Sequence, residues 1–189
     1  MVAVDQREAL RGMFAKYQST PISNSQLTQF KVDVARELSP IASALLVDQE
    51  FGIDAIIEQG ALNSSCGLIA AADLLVGPPG GAATETEIDH DVDPIRMKKI
   101  GAVGLKFLIL WRSDESAEKR SELVSDFNKL CDAANLPSII EIIVKPPNNS
   151  SREFNREEEL VSAAKEASKW KLDLDRKSTR LNSSHVSES

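Results

Sequence analysis

The sequence predicts an α/β protein, an incomplete (β/α)8 TIM barrel of about five to six parallel strands with helices outside. Three observations predict it. Short apolar runs recur at 1–4, 42–47, 67–72, 104–111 and 138–144. They are continuous rather than alternating, the pattern of strands buried on both faces. Amphipathic stretches separate them, so that each unit spans roughly 25 to 40 residues, as in parallel strands joined by helical crossovers. Polar residues close or interrupt the runs: Asp5, Asp48, Asp73, Lys106 and Glu141.

Each element has its own signals. After run 1–4 and Asp5, a helix is marked by Leu27, Phe30, Val34 and Leu38 at helical spacing. Asn24 or Ser25 can cap its start, and Pro40 stops it. Run 42–47 ends at Asp48 and run 67–72 at Asp73. The segment VGPPGG at 76–81 reads as a loop, and His90 as a solvated loop residue in the acidic stretch 85–93. Asp93 followed by Pro94 is an N-cap with proline at the first helical position. Run 104–111 carries Lys106. The next helix has Leu123, Phe127, Leu130 and Ala134 inward and ends at Asn135 and Pro137. Run 138–144 carries Glu141, and KPPNNSS at 145–151 is a loop. A helix over 157–170 turns Leu160, Ala163, Ala164 and Ala167 inward. A sixth run begins at Lys171 and fails. From Asp175 the chain is Ser-rich without periodicity, so 1–174 is read as a partial barrel. Residues 175–189 are read as an unstructured tail, resembling a translated cloning adapter.

Composition narrows the function. The 189 residues are 42% hydrophobic and 27% charged, which suits one globular domain with a sizeable core. No apolar run reaches membrane-spanning length, and the start lacks the form of a signal peptide, so a cytoplasmic location is expected. The net charge is −7 with the two signs interspersed, which excludes a basic nucleic-acid surface. Cys66 and Cys131 have no metal-ligand spacing and read as buried reduced thiols. With two histidines, His90 and His185, a His-based metal site or triad is not expected.

An open doubly wound sheet competes with the barrel. The first run is not followed by GxGxxG, which weakens a dinucleotide fold. In a barrel, the polar positions at the strand ends converge on one site. For Asp48 and Asp73 a second reading stays open, in which each caps the following helix. Lys106 lies among apolar neighbours, where an ammonium is costly unless compensated. Glu141 on the next run is its natural partner, since neighbouring parallel strands bring side chains within reach. With Asp5 they form a metal-free acid–base cluster suited to moving protons next to a carbonyl.

The pieces AVDQREAL, LSPIASALLVDQEFG, KKIGAVGLKFLILWRSDE and LPSIIEIIVKPP resemble the tagatose-bisphosphate aldolase group of class I aldolases. Within it, DQREALRGMF, AADLL, LKFLILWRSDE, FNKLCDAANLPSIIE and REFNREEELVSAAKE are similar to the sulfofructosephosphate aldolases. The resemblance covers about residues 2 to 174. It implies a Schiff-base aldolase on a (β/α)8 barrel, cleaving 6-deoxy-6-sulfofructose 1-phosphate to dihydroxyacetone phosphate and sulfolactaldehyde in sulfoquinovose breakdown. No cofactor is implied. A tagatose-1,6-bisphosphate or related sugar-phosphate aldolase is the alternative, and a non-catalytic barrel binding a sugar phosphate is another. The expected partner is thus a small sugar phosphate, with neither nucleic acid nor membrane. Homo-oligomers are common in the family, and nothing in the sequence locates an interface. By the resemblance, Lys106 is the ammonium that keeps a nucleophilic lysine neutral, and Glu141 is the proton-transfer residue. Asp5 and Gln6 meet substrate hydroxyls, and Asp73 and Arg112 occupy further site positions.

One departure stands out. The family's sixth strand reads like D-L-Y-K-V-E-x-P, and its lysine forms the Schiff base. Here Asp175 and Arg176 stand where Tyr and Lys are expected. A guanidinium stays protonated and cannot be the nucleophile. Lys177 is one residue on, which in a strand means the opposite face. The expectation is a chain cut at both ends and inactive as written.

Overall fold

The computed structural model describes residues 1–79, 83–148 and 154–177. Its six parallel strands are β1 (Val2–Ala3), β2 (Ala44–Asp48), β3 (Gly67–Ala71), β6 (Ala102–Trp111), β7 (Ser138–Val144) and β8 (Leu174–Lys177), paired in that order. The antiparallel hairpin β4 (Asp73–Val76) and β5 (Glu85–Ile88) stands apart after β3. The helices are α1 (Glu8–Ala15), α2 (Asn24–Leu38), α3 (Asp54–Glu58), α4 (Pro94–Lys99), α5 (Ala117–Ala134) and α6 (Arg156–Ala167). This is an α/β half-barrel, the part-barrel that the run pattern predicts.

Parity sorts the two faces of the sheet. Leu45 and Val47, Leu68 and Ala70, and Leu105, Phe107, Ile109 and Trp111 join helical residues such as Val32, Met97 and Phe127 in the main core. Leu46, Ile69, Ala71 and Ile139 form a second cluster on the inner face. Register lines up the inner positions: Asp48 with Ala71, Ala71 with Lys106, and Leu108 with Glu141. On this face Asp48 closes the column of β2, while Lys106 and Glu141 lie within theirs, followed by Leu108 and Leu110 on β6 and by Ile143 on β7.

Several elements differ from expectation. Helix α2 is capped by Ser23, in a reciprocal capping box with Gln26, rather than by Asn24 or Ser25. Its fully buried residues are Leu27, Lys31, Val32 and Ala35, while Phe30, Val34 and Leu38 are only half-buried. In α5 the buried column runs through Val124, Phe127, Cys131 and Ala134, so Leu123 and Leu130 flank it. Asn135 ends this helix in the left-handed conformation, φ 50°. Helix α6 stops at Ala167, three residues short of the predicted end; Ala163 and Ala167 are buried, Leu160 and Ala164 half-buried. Asp93 caps α4 with Pro94 in its first turn, as read. The acidic stretch begins as strand β5, and His90 lies in the turn after it. Cys66 and Cys131 are free and buried. The sixth run does form a strand, in register with β7. Residues 178–189 of the tail, with His185, lie outside the described residues. No described helix is long and apolar enough to cross a membrane.

Candidate active site

The site is built around Lys106, whose side chain is about 1% exposed. Its Nζ lies 2.7 Å from Asp5 Oδ2, 3.0 Å from Asp73 Oδ2 and 3.1 Å from Glu141 Oε2. These carboxylates follow β1, follow β3 and lie on β7. In a flat sheet, β1 and β7 would stand four strand spacings apart, about 19 Å. One ammonium touches both ends of that span only because the sheet curls around its inner face.

Each carboxylate is placed by local structure. Backbone pairing of β1 with β2 continues through Val4, whose N–H donates to the Leu46 carbonyl. With Val4 in the outer core, Asp5 falls on the inner face. Asp73 follows Ala72, whose N–H still donates to the Lys106 carbonyl at 2.8 Å. Beyond it, the Asp73 carboxylate replaces the next backbone acceptor by taking the Leu108 N–H at 3.1 Å. Glu141 shares inner-face parity with Ile139.

Electrostatics follow from burial and charge. Burial alone would push the Lys106 ammonium down; Asp5, Asp73 and Glu141 outweigh it and hold the group well above the ordinary lysine value. Lys106 is therefore a fixed cation and not itself a nucleophile at neutral pH.

A second layer escaped the sequence reading. Arg7, nine-tenths buried, has Nη1 3.3 Å from Asp73 Oδ1 and Nε 3.8 Å from Asp48 Oδ1. Lys31, fully buried on α2, donates to Asp48 and, at 2.8 Å, to the Gln6 carbonyl. Burial pushes Lys31 below the ordinary lysine range, and Asp48 pulls it back. Asp48 also accepts the Phe51 N–H at 2.8 Å, capping a π-helical turn over Gln49–Ile53. Asp48 thus acts as the cap that the second reading expects, and it reaches the Lys106 cluster only through Arg7 and Asp73. Asp73, by contrast, faces Lys106 and caps no helix. A signal for Lys31 did exist: it is four residues from both Leu27 and Ala35, on the buried column of its helix.

Arg112 is not brought to this cluster. Its guanidinium donates to Glu115 at 2.9 Å and to the Thr84 carbonyl at 3.4 Å, tying the loop after β6 to the hairpin. Gln6 is half-buried beside Asp5. On β8, Arg176 is the register partner of Glu141, and Lys177 that of Ile142.

Comparison with known proteins shows the family of the chain. The family profile described as DeoC/LacD family aldolase matches residues 1–180. The chain is 31% identical over 159 residues to the tagatose 1,6-diphosphate aldolase of Staphylococcus haemolyticus (strain JCSC1435). The match covers 81% of this chain and 48% of that protein. The tagatose 1,6-diphosphate aldolases of Staphylococcus aureus strains Newman and N315 match with the same identity and coverage. The chain spans about half the length of the curated relatives it matches.

Proposed function

The chain belongs to the DeoC/LacD family of aldolases, and from that premise we propose that it is part of a Schiff-base aldolase that cleaves a ketose phosphate. The observation that carries this reading is the Lys106 ammonium held among three carboxylates, those of Asp5 after β1, Asp73 after β3 and Glu141 on β7. In the whole enzyme, a neutral sixth-strand lysine adds to the substrate ketone and loses water to give an iminium. Glu141 removes the proton of the hydroxyl on the carbon beyond the bond to be broken. That carbon–carbon bond breaks, its electron pair passes to the iminium nitrogen, and an enamine and an aldehyde result. Lys106 supplies the positive potential that keeps the nucleophilic amine neutral. Asp5 and Gln6 hold substrate hydroxyls, and Asp73 fixes Lys106. Arg112 stands farther out, where it restrains the hairpin at the rim.

The relatives' names support a tagatose 1,6-bisphosphate substrate over the sulfosugar. The sulfofructosephosphate reading remains second, favoured by stretches such as LKFLILWRSDE and FNKLCDAANLPSIIE.

Position 176 decides the activity of this chain. Its register partner is Glu141, and its residue is arginine, which forms no imine. Borohydride treatment with dihydroxyacetone phosphate should leave the mass of this chain unchanged. A full-length relative with lysine at that position should gain one adduct. A reduced adduct on Lys106 or Lys177 of this chain would overturn the assignment.

A further inference from the structure

We propose that Lys31 is a positioning residue for the site, acting through Gln6, Asp48 and Arg7 without touching substrate. The proposal rests on the reading of Lys106 as the site's fixed cation. Lys31 sits where a helix facing a core would ordinarily carry leucine. A buried ammonium there brings a desolvation cost, and apolar replacement of buried ion pairs is often neutral or stabilising. Fold stability therefore does not explain it; what it holds does.

Two routes lead from Lys31 to Lys106. On the first, the ammonium fixes the Gln6 carbonyl at 2.8 Å, and so the backbone that presents the adjacent Asp5 to Lys106. On the second, Lys31 anchors Asp48, Asp48 faces Arg7, and Arg7 faces Asp73, whose other oxygen binds Lys106. Among the described residues, the buried Nε and Nη1 of Arg7 have no hydrogen-bond partner. Charge rather than directional bonding thus holds the guanidinium, and its place depends on the carboxylates around it. Those same carboxylates, Asp48, Glu50 and Asp73, argue against Arg7 as a seat for a substrate anion, which they would repel.

The test uses the 189-residue chain with nitrogen-15 lysine, following the Lys106 Nζ resonance, which is assigned by its loss in Lys106→Met. Lys31→Met leaves Asp48 with only the more distant Arg7, at 3.8 Å, and can fail to fold. The double variant Lys31→Met/Asp48→Asn removes both charges and keeps a capping oxygen at position 48. Val32→Ala, a core truncation beside Lys31, is the control. The Lys106 resonance should shift in the double variant and keep its native position in Val32→Ala, although the control lowers the melting temperature. A folded double variant with the Lys106 resonance unmoved overturns the proposal. So does a double variant that cannot fold where Val32→Ala folds, since Lys31 would then be purely structural. Borohydride trapping of dihydroxyacetone phosphate on the full-length relative with lysine at the position of Arg176 provides a separate arm. If no adduct forms there, the aldolase reading fails, while the dependence on Lys31 is judged on the variants alone.

Discussion

At the scale of single residues, Lys106 dominates. Its ammonium balances carboxylates that water does not reach freely. Lys106→Met leaves them facing one another and should cost about 3–5 kcal/mol at pH 7, read by urea unfolding. The sign with pH follows from proton binding. In the unmutated chain the ammonium's folded value lies above its unfolded one. Its contribution is therefore whole below about pH 10.4 and is lost only as alkaline pH passes through the folded value. A Lys106→Met variant as stable at pH 7 as the unmutated chain would show that the carboxylates do not depend on the ammonium.

At the scale of elements, β6, α5 and α6 are joined by one polar junction. Arg120 on α5 donates from Nε and Nη2 to both oxygens of Glu166 on α6, at 2.7 and 2.8 Å. Trp111, at the end of β6, donates to the same carboxylate at 2.8 Å, and its ring lies 5.3 Å from the Arg120 guanidinium carbon. Partial burial would raise the Glu166 carboxyl, but the bonds from Arg120 and Trp111 hold it below the ordinary value. A depressed carboxylate stabilises above its unfolded value, near pH 4.3, and loses that contribution as pH falls through the folded one. The melting temperature of the unmutated chain should thus drop more steeply below about pH 4.3 than that of Glu166→Gln. At pH 7 that variant should be less stable by about 1 to 3 kcal/mol. Parallel acid profiles for the two proteins would refute the coupling.

At the scale of the whole molecule, the sheet has two outer strands. Among the described residues, β1 pairs only with β2, and β8 only with β7. Unpaired strand edges invite pairing with another chain. Met1, Ile41 and Val103, all before or early in their strands, add exposed apolar surface at the N-terminal end of the sheet. The 189-residue chain should therefore associate as its concentration rises, measured by sedimentation velocity. A monomer that unfolds cooperatively across that range would contradict this.

The fold class and strand order were legible because apolar runs and helical spacing are local properties of the chain. The pairing of Lys106 with Glu141 was legible too, since adjacent strands place them by register. What the sequence did not disclose is distance across the sheet. Asp5 and Glu141 meet at one ammonium because the sheet curls. Arg112 leaves the cluster because nearer partners, Glu115 and the Thr84 carbonyl, take its guanidinium. Lys31 was passed over because lysine is almost never fully buried unless paired, although its spacing from Leu27 puts it on the inward face. Periodicity fixes which way a side chain leaves its own strand or helix; only the closed packing of several elements decides which charges share one pocket.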